Sequence, residues 1–518
     1  MVVMGTVPWV FAEKSMKKLL FFVLPFVLMA CTRGDSERDW VADTDVLLDE
    51  VLNKSFKGIV NVQKDSRTYK HLFQLSEEAM TQATGRSKAG LPLLYQEKNF
   101  PHVYNYYTDT QVEKERVYKT MIGWICAMQL SELCPTKRNA LYKAGYEAGG
   151  YTMNTNFYGY QFLGDPNVAR LVASAVYAAM HPSNKLVVDT MRTEVGGSVY
   201  DVNLAELYKR ESRNHVTDDA FFVDLRKFMA SAPGPIAPPF ADRSGINPPI
   251  PDEKASNGCP KVDMAIYDYV VENHNLPEQR AVQATADEDG DIKHVFGPDK
   301  TNVGGQYSFH AVFGQQTIGK VISTDGKIAS LVLLVQKSGN SGRGVLQHDT
   351  KSLGHYEYGR LRPGCTESQQ GRRKSFDDDR LNVLTCFTIE DNDGHWACYD
   401  VGDEEVPYLS DEGKWTDPEV QSEEDYENMV KDKMYANSYP SGHSAGIWSA
   451  AMTMMEIYPQ KADLIMRAAN DFALSRVVSR FHWNSDIIQG RVVGSVMNPV
   501  CHAAPDYYEL LEAAKGEK

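Results

Sequence analysis

Cysteine is scarce and long apolar runs are missing. Among 518 residues there are 8 cysteines, and no spacing between them resembles a zinc site, so no metal and no cofactor is expected. No stretch supplies the ~20 apolar residues that a membrane-spanning helix needs. The N-terminal run from Leu19 to Ala30 holds twelve, and SLVLLV and LVASAVYAAM are shorter and lie in amphipathic surroundings. A membrane-embedded catalytic part is therefore disfavoured. Positive charge is in deficit too: 54 Lys and Arg against 69 Asp and Glu leave a net charge of −15, and without a basic tract nucleic acid is not an expected partner. The acidic run DEDGD at 287–291 has its glycine too early for an EF-hand loop and reads as a solvated loop.

What is present begins at the N-terminus. Met16-Lys17-Lys18 precedes the apolar run, and Leu28-Met29-Ala30-Cys31 resembles the lipobox of bacterial lipoproteins. The expectation is a lipoprotein-type signal peptide over 1–30, with residues 1–15 as an upstream start, and lipidation of Cys31. Thr32 after that cysteine favours the outer membrane. This implies the bacterial cell envelope, periplasmic side or surface, with membrane contact only through the lipid. Seven cysteines then remain, an odd number in a compartment that permits disulfides. LTCFTIEDNDGHWACYDV reads as a β-hairpin turning at DNDG, with Cys386 and Cys398 equidistant from Asn392; a bridge between them competes with one to Cys365.

From Asp39 to about Gly197 the periodicity is helical, with segments near VLLDEVLN, QLSEEAMTQA, MIGWICAMQLSEL, NALYKAGYEA and NVARLVASAVYAAM. This gives an N-terminal helical domain over 39–200. WICAMQLSELCP from Trp124 aligns without a gap on WSAAMTMMEIYP from Trp448, sharing Trp, Ala-Met, Glu and Pro. Farther on, Arg170 and Arg491 each follow an Asp, Asp165 and Asp486, by five residues. These matches point to an old duplication whose first copy kept its helices and lost its chemistry. A Pro-dense connector between Met229 and Pro260 leads into a second domain over 215–518, with an acidic insertion at 364–436 that is expected to narrow substrate choice as a lid.

Tyr439 to Asp486 carries the chemistry. PSGH opens a buried helix, so Ser441 and Gly442 offer N–H groups and a helix dipole to an anion. Ser475, Arg476, His482 and Asp486 follow about thirty residues later, with His482 just outside a helix that begins near Asn484 and Asp486 in its first turn. A carboxylate there can take the imidazole N–H and fix which nitrogen faces substrate.

PSGH, then SR, five residues, His, three residues and Asp resembles the second and third signature motifs of the phosphatidic acid phosphatase type 2 superfamily. HWNSD with a preceding YPSGHS is most similar to its bacterial class A acid phosphatases. The first motif is matched by HYEYGRLRP, with Tyr358, Arg360, Arg362 and Pro363 in register, but His355 stands where the family has lysine. Histidine is charged only near or below about pH 6.5, so phosphate binding is expected to weaken as pH rises, with Lys351 as a replacement cation. The resemblance implies an all-α helical bundle of the acid phosphatase/vanadium haloperoxidase type, here with the degenerate copy and the hairpin insertion. It also implies metal-independent hydrolysis of phosphomonoesters through a phosphohistidine. His482 would be the nucleophile, Asp486 its orienter and His443 the general acid. His355 or Lys351, Arg362, Ser441, Gly442 and Arg476 would hold the phosphoryl oxygens, the partner being a small phosphorylated substrate. A homodimer is compatible with this reading. Vanadium-dependent haloperoxidase and a catalytically weak phosphate-binding lipoprotein are the competing readings.

Overall fold

The computed structural model describes residues 39–96, 114–150, 166–200, 203–206, 326–328, 330–336, 386–390, 396–400, 440–479 and 481–517, with positions 284, 287, 339, 422 and 438 between them. Cys31, Lys351, His355, Arg362, the Pro-dense connector and most of the 364–436 insertion lie outside the described residues, as does most of the expected boundary between 200 and 215. The chain divides into units 1–43 and 44–518. In the first, residues 39–43 form a turn in which Asp43 N–H donates to the Asp39 carbonyl at 3.1 Å.

The described part of the second unit is predominantly helical, as the periodicity requires. Helix α1, Thr44–Lys54, buries Leu47, Leu48 and Val51 on one stripe. Helix α2, Arg67–Ala83, is capped twice: Ser66 Oγ accepts from Tyr69 N–H at 3.0 Å, and the Glu194 carboxylate accepts from Arg67 and Thr68 N–H at 3.0 and 2.9 Å. Three of the orphan donors of its first turn are thus satisfied.

Helices α3, Lys114–Leu133, and α7, Gly442–Ile457, are apolar on nearly every face and run through the core. Each ends the same way. After α3, Cys134 takes φ −125°, ψ 65° and leads into a 3₁₀ turn over Pro135–Lys137 and helix α4, Arg138–Glu147. After α7, Tyr458 takes φ −126°, ψ 64° and leads into a 3₁₀ turn over Pro459–Lys461 and helix α8, Ala462–Val478. Proline suits both turns because its missing N–H lies where no partner is available.

Helix α5, Pro166–Ala179, packs on α3, and helix α9, Asn484–His502, packs on α7. The buried Trp124 indole donates to Ser174 Oγ on α5 at 2.9 Å, and the buried Trp448 indole donates to Ser495 Oγ on α9 at 2.6 Å. Those serines donate in turn to the carbonyls of Arg170 and Arg491. An indole N–H that loses water needs such an acceptor, and burying each ring contributes about 2–3 kcal/mol.

Helix α6, Lys185–Glu194, covers α2, and α10, Tyr507–Lys515, closes the C-terminus. The helices before residue 200 and those after 441 share one core, with α5 against α7 and α3 against α9. Among the described residues no helix is long and apolar enough to cross a membrane.

Strand β1, Cys386–Glu390, pairs antiparallel with β2, Trp396–Asp400, in a register that sets Thr388, not Cys386, opposite Cys398. Among the described residues Cys126 and Cys134 are buried free thiols, and Cys501 is buried.

Candidate active site

Two glycines on α9 set the spacing of the site. A Cβ on Gly490 would sit 2.5 Å from the Ser441 carbonyl, and one on Gly494 would sit 2.5 Å from the Ala445 carbonyl. Only a bare backbone lets α9 approach the start of α7 this closely. The contact is fixed by Ser441 N–H donating to the Asp486 backbone carbonyl at 3.1 Å. PSGH and HWNSD are thereby joined.

Around this contact lie Ser438, Ser441, His482 and Asp486, all buried. His482 Nδ1 is 2.7 Å from the Ser438 carbonyl, and 3.7 Å from Asp486 Oδ2. A carbonyl can only accept, so Nδ1 carries the hydrogen and Nε2 presents its lone pair. The sequence reading gave the imidazole N–H to Asp486. The structure gives it to the Ser438 backbone, because the carboxylate is engaged elsewhere: Oδ2 accepts from Ser438 Oγ at 2.5 Å and from Trp483 N–H at 2.8 Å. The latter bond ties the third residue of α9 back to its N-cap. Asp486 therefore acts on His482 through its nearby charge and by holding Ser438. No signature motif contains Ser438, and only its nearness to PSGH hinted at it.

Ser441 is the N-cap of α7, its Oγ accepting from Ser444 N–H at 3.4 Å. Capping uses an oxygen lone pair and leaves the O–H as a donor. Gly442 and His443 begin the helix and are partly exposed, and the His443 ring lies 6.1 Å from that of Phe472 on α8.

Arg476 is fully buried; one Nη donates to the Ala284 carbonyl at 2.8 Å, and its guanidinium lies 5.1 Å from the Phe481 ring. Its backbone carbonyl accepts from His482 N–H at 3.1 Å, so α8 hands the histidine directly to the site.

Ser475 Oγ donates to Asp287 at 2.5 Å. Asp287 is 1% exposed, which corrects the reading of DEDGD as a solvated loop: its first carboxylate anchors the Ser-Arg pair from a distant segment.

A second polar cluster escaped the sequence reading. Glu132 of α3 and His181 after α5 are 2.8 Å apart, and Glu456 of α7 and His502 at the end of α9 are 2.9 Å apart. Both pairs are buried, and the two imidazoles are 4.1 Å apart at their centroids. Burial pushes Glu132 and Glu456 up, but the neighbouring histidines and hydrogen bonds outweigh it and leave both below the usual range. Burial pushes His502 down, but Glu456, together with Glu132 and the Asn498 carbonyl, more than reverses this. The signal was available: Glu132 and Glu456 occupy matched positions, and His181 and His502 each lie sixteen residues after Asp165 and Asp486.

An imidazole with a fixed tautomer beside a carboxylate, at the N-terminus of a buried helix and near a buried guanidinium, is an arrangement for holding and attacking an oxyanion. Residues 353–508 match the PAP2 superfamily model. Similar curated proteins include a non-specific acid phosphatase of Providencia stuartii, 38% identical over 88 residues, 17% of this chain and 36% of that protein. An acid phosphatase of Zymomonas mobilis subsp. mobilis is 33% identical over 102 residues, 20% of this chain and 37% of that one. A non-specific acid phosphatase of Salmonella typhi is 33% identical over 94 residues, 18% and 36%. The chain thus spans a little over a third of the length of the curated relatives it matches.

Proposed function

We propose that this protein is a phosphoric monoester hydrolase that works through a phosphohistidine. The observation that carries the reading is His482, whose Nδ1 hydrogen is held by the Ser438 carbonyl at 2.7 Å so that Nε2 is left as a nucleophile. In the first step the Nε2 lone pair forms a bond to phosphorus and the ester P–O bond breaks. The departing alcohol takes its proton from His443. In the second step His443 takes a proton from water, the new hydroxide oxygen bonds to phosphorus, and the P–N bond breaks to release phosphate. Arg476, Arg362, Ser441, Gly442 N–H and either His355 or Lys351 bind the phosphoryl oxygens. A planar guanidinium suits this because it can engage two oxygens together. These cations neutralise the developing charge, and the chemical step uses no metal.

Turnover of p-nitrophenyl phosphate, abolished by His482→Ala, together with an acid-labile, base-stable phosphoenzyme trapped in the wild type, tests the reading. A His482→Ala protein that retains turnover defeats it. Halide oxidation that depends on added vanadate would instead support the haloperoxidase reading.

The repeated helix order, the matched dihedrals after α3 and α7 and the paired Trp-to-Ser bonds support an ancestral duplication. On this reading the first copy serves as an intramolecular interface for the catalytic one. The lipobox at Cys31 supports anchoring at the bacterial outer membrane, and metabolic labelling with a fatty acid, lost in Cys31→Ser, tests it.

A further inference from the structure

We propose that His181, Glu456 and His502 form a binding site for one divalent transition-metal ion, zinc by its donor set, where the two helical sets meet. Each of the three offers a ligand atom, and these atoms lie within 4.8 Å of one another. The side chains of His181 and His502 are 0% exposed and that of Glu456 is 1% exposed. Two imidazoles and a carboxylate are a common zinc donor set.

Each ligand is also backed on its far side. His502 Nδ1 lies 2.8 Å from the Asn498 carbonyl, which directs Nε2 inward. Glu456 Oε1 accepts from Asn498 Nδ2 at 2.9 Å. His181 Nε2 lies 2.8 Å from Glu132 Oε2, and Glu132 is itself fixed by the hydroxyls of Tyr177, at 2.7 Å, and Tyr508. Outer partners of this kind orient metal-bound histidines and fix their tautomers.

The decisive observation is the remaining nitrogen. His181 Nδ1 is buried and has no hydrogen-bond partner. Suppose protons alone hold the cluster together. His502, between a carbonyl and a carboxylate, then carries both its hydrogens and is a cation. His181, with one acceptor, carries one hydrogen and is neutral. Two carboxylates against one imidazolium leave an uncompensated negative charge in the core, beside a nitrogen lone pair with nothing to accept. Both are costly to bury.

A divalent ion removes both defects. It replaces the proton on His502 Nε2, binds Glu456 and takes up the His181 Nδ1 lone pair. Two carboxylates, two neutral imidazoles and one doubly charged ion sum to zero. The ligand atoms must draw in to roughly 3.3 Å from one another, the edge of a tetrahedron with bonds of about 2.0–2.1 Å, a change within reach of side-chain torsions. One ligand comes from the first helical set and two from the second, so the ion would cross-link them.

This inference is independent of the phosphatase reading, since its readout is bound metal rather than turnover. The full chain is stripped with chelator, dialysed against zinc chloride and then metal-free buffer, and its zinc measured by mass spectrometry. About one ion per chain is expected, falling at least tenfold in the His181→Ala/Glu456→Gln double variant and staying at the wild-type level in His482→Ala. X-ray absorption of the zinc-loaded wild type should show two imidazole ligands, and needs no variant to fold. A wild type that retains no zinc, a double variant that retains it, or a coordination sphere with sulfur or without two imidazoles would each overturn the proposal.

Discussion

Replacing Asp486 by Asn separates two ways in which a carboxylate can serve a catalytic histidine. If the carboxylate held the imidazole N–H, the amide would present the wrong group and favour the wrong tautomer, which in such arrangements costs about 10⁴-fold in rate. Here the Ser438 carbonyl holds that hydrogen, so the tautomer survives the substitution. What is lost is charge. Phosphorylation of Nε2 makes the ring a cation, and Asp486 Oδ2 lies 3.7 Å from Nδ1. With an effective dielectric constant of about 20, opposite unit charges at that separation attract by about 4.5 kcal/mol, an upper figure worth about 10³-fold. The amide dipole and relaxation recover part of this. Asp486→Asn should therefore lower kcat about 10²- to 10³-fold on p-nitrophenyl phosphate, with KM nearly unchanged, while His482→Ala abolishes turnover. Single-turnover phosphoenzyme formation should fall by the same factor. A loss below about threefold would show that the charge does not assist, and a loss equal to that of His482→Ala would show that the backbone carbonyl does not set the tautomer.

Other substitutions probe the frame. Gly490→Ala puts a methyl group 2.5 Å from the Ser441 carbonyl, so it should cost about 1–3 kcal/mol in denaturant unfolding and lower kcat by separating α7 from α9; full activity would show that this approach does not matter. Ser438→Ala removes the donor to Asp486 Oδ2 but keeps the carbonyl, and should cost about 1–3 kcal/mol of stability with a smaller rate loss than Asp486→Asn. His71 is pushed down to about 4, chiefly by burial. Because its folded pKa lies below the unfolded value of about 6.5, its contribution is whole above that value and declines as pH falls toward 4, by at most about 3 kcal/mol. His71→Gln, which keeps a donor for Gln129, should flatten unfolding stability across that window, and an unchanged acid profile would refute the assignment. Glu194→Gln weakens the second cap of α2, and a loss of about 1 kcal/mol in stability is expected.

The sequence alone determined most of the described helices and where the motifs fall on them. Apolar periodicity marked α1 to α5, and the positions of Ser441 at a helix start and Asp486 in the first turn of the next helix were legible because such features are local in sequence. The gapless match from Trp124 to Trp448 revealed the shared helix order for the same reason. Only the tertiary structure decided partners that lie far apart in the chain. It gave the His482 hydrogen to the Ser438 carbonyl, turned Asp287 from a solvent-facing acid into the buried acceptor of Ser475, and brought His181 beside His502. A backbone carbonyl has no signature in sequence, and a carboxylate or imidazole is written identically whether water or another side chain satisfies it. Which of these it meets depends on packing, here on two glycines of α9 and on the core shared by the two helical sets.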